Sequence, residues 1–248
     1  MKILIFLKEI PPEEERNLYQ DIEGIGDSDK NVLTEALNLR DQEGGTVTAM
    51  VLGPAQGEKT AREALTWGVD RSVLVLKEGK TAGDIRESAR VLAKAIEEEG
   101  AFDLVLCGRQ AIDGDAAHMA AMTAFFLDIP LIAYSKRMET ENGQLYNWCA
   151  AKEGTERTKC NMPALVLSVK EDQKIRHPNV CDIMSAYAES TVIPVIKPEQ
   201  DVREQIIRQT GEYLPEGRSK QRKILNGKND REKAELLYQV LKKHKVPE

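Results

Sequence analysis

Short apolar runs alternate with amphipathic stretches through the first half of the chain, and this alternation restricts the fold more than any other feature. KILIFL is followed by NVLTEALNLRDQ, TVTAMVLG by EKTAREALTWG, SVLVLK by IRESARVLAKAIEEEG, and FDLVLCG by AAHMAAMTAFFLD. The runs are too continuously apolar for half-exposed strands, and the stretches between them repeat apolar residues at helical spacing. Parallel strands joined by crossover helices satisfy both patterns, so the expected fold is α/β, a doubly wound and mostly parallel sheet. Gly44-Gly45, Gly68 and Gly100 stand where the helical patterns stop, the usual place for a residue with left-handed backbone.

Beyond Pro130 the runs shorten to LIAYS, QLYNWCAA and PALVLSV, with Asn142-Gly143 as a hairpin signal between the first two. These strands are expected to extend the sheet in antiparallel fashion. From Lys170 to about Asp230 the chain is polar and broken by Pro178, Pro194, Pro198 and Pro215, after which DREKAELLYQVLKKHK predicts one closing amphipathic helix. A long irregular segment either serves a partner or a site, or wraps the surface.

Composition excludes several classes. The 248 residues and 27.7 kDa suffice for a full core, and 41% apolar with 31% charged residues describes a globular chain. A net charge of -6 without a basic stripe leaves little for phosphate-driven nucleic-acid binding. MKILIFLKEIPP is too short in apolar residues for a signal-peptide core, and no run is long enough to cross a bilayer, so no membrane insertion is expected. Cys107, Cys149, Cys160 and Cys181 show no CxxC spacing and fit reduced thiols in a cytoplasm. His118, His177 and His244 lie far apart, and no metal is expected.

In an open α/β sheet, ligands bind beyond the carboxyl ends of the strands, which directs attention to the loops after Leu7, Val51 and Leu106. LGPAQ brings a glycine and a proline to the second strand end. CGRQAIDGDAAHMAAM runs from a buried strand through a glycine turn into a helix of small residues, whose start can hold a phosphate. Asp113 or Asp115 can equally cap that helix, and Arg109 can neutralise them or reach a phosphate. GxGxxG after the first strand, GxxxxGK[ST] and GxSxG are all missing, and Cys107 reads as inert packing inside a strand. Met119, Met122, Phe125 and Phe126 have the spacing of core residues. No catalytic side chain is assigned.

In that order, KILIFLKEIP, VLTEALNLRD, VTAMVLGPAQ, AREALTWGVDRSVLV, FDLVLCGRQAIDGD, PALVLSVKE and DIMSA resemble the beta subunit of electron-transfer flavoproteins, from residue 1 to about 200. GRQAIDGD after a strand is the most specific piece. The resemblance implies an adenine-nucleotide alpha hydrolase-like fold over residues 1–190, and a partner-wrapping arm and helix over 191–248. It also implies a partner alpha subunit carrying FAD. The family's nucleotide pocket falls on Phe6, Leu7 and Lys8, on Gly26, Asp27, Ser28 and Asp29, and on Leu52 and Gly53. It continues over Asp113, Gly114, Asp115, Ala116, Ala117, His118, Met119, Ala120, Ala121, Met122 and Thr123.

Simple carriers of the family hold AMP in this pocket, whereas electron-bifurcating members hold a second FAD that takes a hydride from NADH. Asp-Gly-Asp after GRQAI looks like the bifurcating branch, so FAD is the expected ligand and AMP the alternative. Bifurcating relatives continue with TAQVGP, where this chain has AAHMAA. KIRHPNVCDIMSAYAES aligns with the loop, near 174–190, through which the family docks a flavin dehydrogenase, expected to be of the acyl-CoA type. Val180 stands where the family has its anchoring leucine, with Asp182 and Met184 beside it. The competing reading is a stand-alone nucleotide-binding regulator of the universal-stress type, but its phosphate loop ending in Gly-Ser or Gly-Thr is missing. So is the SGGxDS loop of pyrophosphatase-type synthetases.

Overall fold

The computed structural model describes residues 1–8, 25–77, 85–108, 117–169, 174–198 and 224–243. The chain divides into two compact units, Met1–Gln209 and Thr210–Glu248. In the first, the element order is β1 (Lys2–Lys8), α1 (Asp27–Glu43), β2 (Thr46–Gly53), α2 (Glu58–Thr66), β3 (Arg71–Leu76), α3 (Ile85–Glu99), β4 (Leu104–Gly108) and α4 (Ala117–Phe126). There follow β5 (Leu131–Glu141), β6 (Gln144–Ala151), β7 (Gly154–Asn161), β8 (Ala164–Ser168), α5 (Val180–Ala186) and β9 (Val195–Ile196). The second unit contains α6 (Asp230–Lys243), whose Leu236, Leu237, Tyr238 and Leu241 are exposed. No helix among the described residues is long and apolar enough to cross a membrane.

The strands form one sheet in the order β7-β6-β5-β8-β4-β1-β2-β3-β9. Every neighbouring pair from β5 to β9 is parallel, and this is the doubly wound α/β arrangement that the strand-helix alternation predicts. Period-two alternation divides the core into two layers. Ile3, Ile5, Leu7, Val47, Ala49, Val51, Leu104 and Leu106 face α1 and α2. Leu4, Phe6, Met50, Val105 and Cys107 face α3 and α4. Helices on both faces explain why the central strands carry no polar alternation. Gly44, Gly68 and Gly100, at the helix ends, all have positive φ.

The second half departs in part from the antiparallel expectation. β6 and β7 do pair antiparallel, and Asn142 and Gly143, with φ of 51° and 74°, make the expected hairpin turn. β8, however, lies parallel between β4 and β5, because Ala164–Ser168 is buried on both faces and belongs in the sheet interior. β5 spans the change of direction: it pairs parallel with β8, shifts register around Tyr134 (φ 57°), and continues antiparallel with β6. β7 (GTERTKCN) has no apolar face by which it could have been recognised. Stacked cations support it, with Arg157 4.9 Å from the Tyr146 ring and 5.2 Å from that of Trp148, and Lys159 5.6 Å from that of Tyr146.

Candidate nucleotide cleft and docking face

β1 and β4 are neighbours, yet β1 continues through α1 to β2 on one side while β4 leads towards β8 and β5 on the other. Their carboxyl ends therefore flank the switch point of the sheet, where a crevice opens in folds of this kind. The start of α1 packs against both strand ends. The Lys8 backbone N–H donates to Asp29 Oδ2 at 3.1 Å, tying the end of β1 to the first turn of α1. At the end of β4, Gly108 approaches the same turn so closely that a Cβ there would lie 2.4 Å from Ser28 Oγ and 3.3 Å from both Ser28 Cβ and its carbonyl oxygen. Glycine at 108 is thus a packing requirement. Gly26, in extended backbone, caps α1 without a side-chain hydrogen bond. As a glycine, Gly26 offers the helix start no side-chain acceptor of its own.

Electrostatics in the cleft follow from burial. Desolvation raises the Asp29 carboxyl from 3.8 to about 6, although the Lys8 N–H and the Lys8 charge pull it down. The Cys107 thiol is pushed far up by burial, with the Asp29 charge adding to the effect, so it is not a nucleophile. Below this layer, Ser168 Oγ donates to Glu35 Oε2 at 2.6 Å, joining the end of β8 to α1. Glu35 is buried and was not predicted from sequence. Its only signal is a carboxylate on the inward face of a helical pattern, which charge alone does not identify as buried.

Phe6 and Leu7 are buried core residues of β1, whereas Lys8 shares the parity of Leu4 and Phe6 and so belongs to the α3–α4 face. Leu52 is half-buried and Gly53 buried at the end of β2, where Lys77 N–H donates to Gly53 O at 2.9 Å. Lys77 is itself buried and gives its ammonium to Ser88 Oγ at 2.7 Å, a second polar feature, just past the end of β3, that pattern reading missed. On α4, which opens at Ala117, Ala120 is buried, Ala121 and Met122 are half-buried, and Met119 packs on the core. Thr123 is buried and its hydroxyl donates to Met119 O at 2.8 Å, inside its own helix. His118 is exposed. Phe125 overturns the core expectation: it is 80% exposed, while Phe126 lies beneath Arg90 at 5.2 Å. Arg109, Asp113, Gly114, Asp115 and Ala116 lie outside the described residues. Among the described residues, no three metal-ligating side chains gather.

The structure thus brings Lys8, Gly26, Ser28, Asp29 and Gly108 to one point. Asp27, in the same helix turn, is exposed and pairs with Lys30 instead. The three predicted docking residues lie elsewhere, on α5, which packs against α2. Val180 and Met184 are each 71% exposed. Tyr187 and Val192 are exposed beside them and were not predicted; Val180, Met184 and Tyr187 share one helical side by their spacing. Asp182 turns the other way. Its N–H donates to Asn179 Oδ1 at 2.9 Å, its carboxylate accepts from Asn179 Nδ2, and Oδ2 faces Gly68, where a Cβ would stand 3.1 Å away. Asp182 therefore completes the cap of α5.

The chain matches the family described as electron transfer flavoprotein domain over residues 20–189. It is 36% identical to an electron transfer flavoprotein subunit beta of Thermoanaerobacterium thermosaccharolyticum over 203 residues, 77% of each chain. A second subunit beta, from Clostridium acetobutylicum, is 32% identical over 197 residues, 75% of each chain. The caffeyl-CoA reductase-Etf complex subunit CarD of Acetobacterium woodii is 31% identical over 203 residues, 78% of each chain. With the sheet, the switch-point crevice and these likenesses together, the chain belongs to the electron transfer flavoprotein family, among its beta subunits.

Proposed function

We propose that this beta subunit binds an adenine nucleotide, FAD in preference to AMP, at the carboxyl ends of β1 and β4, and works as a heterodimer with an alpha subunit that carries its own FAD. The observation supporting this most directly is the close approach of Gly108 to Ser28, which sets the start of α1 against the strand ends at the switch point. The residues suit such a group: main-chain donors at a helix start, an ammonium at Lys8, and apolar surface at the half-buried Leu52. Arg109 and the stretch Asp113, Gly114, Asp115, Ala116 and Ala117 to Thr123 would complete the pocket.

Bound FAD would supply the redox chemistry; the chain orients it and sets the charge around it. Asp29 holds the end of β1 in register with α1, and Lys8 offers positive charge on the α4 side. Electrons would pass between a flavin dehydrogenase, of the acyl-CoA type, and NADH or another carrier, in the cytoplasm. A relative whose printed name places it in a caffeyl-CoA reductase complex supports that partner class. Docking would use the exposed face of Val180 and Met184, with Asp182 holding the helix beneath them. Residues 1–190 would form the nucleotide domain, and 191–248, which begins with the segment carrying the short β9, an arm that packs on the alpha subunit through α6.

Counting nucleotides tests this reading. The co-purified heterodimer is denatured and its released FAD and AMP are separated by chromatography. Two FAD per heterodimer is the expected result. One FAD and one AMP would assign AMP to this cleft, and a single FAD with no AMP would refute the nucleotide cleft.

A further inference from the structure

The exposed face of α5 is held in place by contacts remote from that face, and the one that reaches the last turn of the helix comes from α2. Arg62 Nη1 donates to Ala186 O at 2.7 Å and to Thr191 O at 3.2 Å, while Nη2 donates to Glu58 Oε1 at 2.8 Å. One guanidinium thereby joins the last turn of α5 to the strand-bound segment beyond it. The carbonyl of Ala186 belongs to the end of a helix, where a cation is well placed to donate to an acceptor that the helix itself leaves without a partner. Around this point Thr191 Oγ1 donates to Ser185 O at 2.6 Å, and Ile193 enters the core beside α1 and α2. At the other end of the segment, Arg176 donates to Asn38 Oδ1 at 2.7 Å and to Asp41 Oδ2 at 2.5 Å on α1. The Arg176 guanidinium holds the Asp41 carboxyl below its ordinary value.

We infer that Arg62 is a positioning residue for partner docking, setting the orientation of the Val180, Met184, Tyr187 and Val192 surface without touching the partner. This inference rests on the reading that the α5 face docks the dehydrogenase. A short helix has little stability of its own, so its exposed face keeps one orientation only if its end is fixed. Arg62 fixes it through two carbonyls at once, which a lysine ammonium on a flexible stem does poorly. Fixing the face before encounter removes ordering cost from association, so its loss weakens binding and leaves later electron transfer unchanged.

The test uses the co-expressed heterodimer with its dehydrogenase, comparing Arg62→Gln, Arg62→Lys and Val180→Asp. In Arg62→Gln the KM for the dehydrogenase is expected to rise about ten-fold, with kcat within about two-fold and nucleotide content unchanged. Amide exchange over residues 186–192 should accelerate, and Arg62→Lys should fall between parent and Gln in both readouts. If Arg62→Gln does not fold, Arg62→Lys carries the same reading. Faster exchange with an unchanged KM, while Val180→Asp still raises it, would overturn the role of Arg62 alone. An unchanged KM in Val180→Asp as well would overturn the docking reading and this inference with it.

Discussion

The cleft between β1 and β4 and the outer face of α5 lie on the same sheet framework but are built by different means. The cleft is held by main chain and by small residues: a backbone N–H on a carboxylate, a glycine against a serine, and a helix start without a side-chain cap. The α5 face is held by long polar side chains, Arg62 and Arg176, and by the Asn179–Asp182 cap. The contrast teaches that a site defined by backbone is sensitive to added volume, whereas one supported by side chains is sensitive to lost hydrogen bonds.

The largest effect should come from adding volume in the cleft. Gly108→Val would drive a branched side chain into Ser28 Cβ and its carbonyl oxygen, and is expected to cost about 3 kcal/mol and to empty the nucleotide site. The milder Gly108→Ala should be partly rescued by Ser28→Ala, which removes the atom 2.4 Å away. Thermal unfolding and released nucleotide measure both, and an intact nucleotide content in Gly108→Val would break the distinction. Next in size is Val180→Asp, a charge in the centre of the apolar face, expected to raise the KM for the dehydrogenase about thirty-fold while nucleotide content stays at the parent level. A change confined to nucleotide content would reverse the assignment of the two regions.

Asp29 gives a smaller and pH-dependent effect. Its folded value of about 6 exceeds the ordinary 3.8, so the ionised form is disfavoured by folding. The cost is absent below about pH 4, develops between 4 and 6, and is complete above 6. Asp29→Asn should therefore stabilise the complex by about 1 to 2 kcal/mol at pH 7, discounted for residual solvent contact, and leave it unchanged at pH 4. A loss of stability at pH 7 would mean that the Lys8 contact outweighs desolvation. Smallest is Asn179→Ala, which removes the cap of α5 at about 1 kcal/mol and should loosen residues 180–186 in exchange measurements without disturbing β1 or β4.

How much of this was legible in the sequence varies with the forces involved. β1, β2, β3 and β4 and their helices were readable because burial on both faces leaves a continuous apolar run. The Asn142-Gly143 turn was readable because its backbone demands positive φ. β7 was not, because it is stabilised by its ladder to β6 and by cations over aromatic rings, contacts that leave no apolar alternation in its own residues. Phe125 was misplaced for a related reason: helical spacing shows which residues share a face, while which faces are covered depends on the neighbouring helices. Resemblance singled out Ser28 and Asp29, but the approach of Gly108 required coordinates, since a glycine ending a strand has the same sequence whether or not a helix packs against it. Asp182 was grouped with Val180 and Met184 by proximity in sequence, yet on a helix it points away from them.

The most direct test of the account is a hydrogen-exchange footprint of the intact heterodimer with and without its dehydrogenase. Protection confined to residues 180–192, with exchange over 2–8 and 104–108 unchanged, is the predicted result. Protection over 104–108 with none over 180–192 would place docking at the nucleotide cleft and contradict the separation of the two sites.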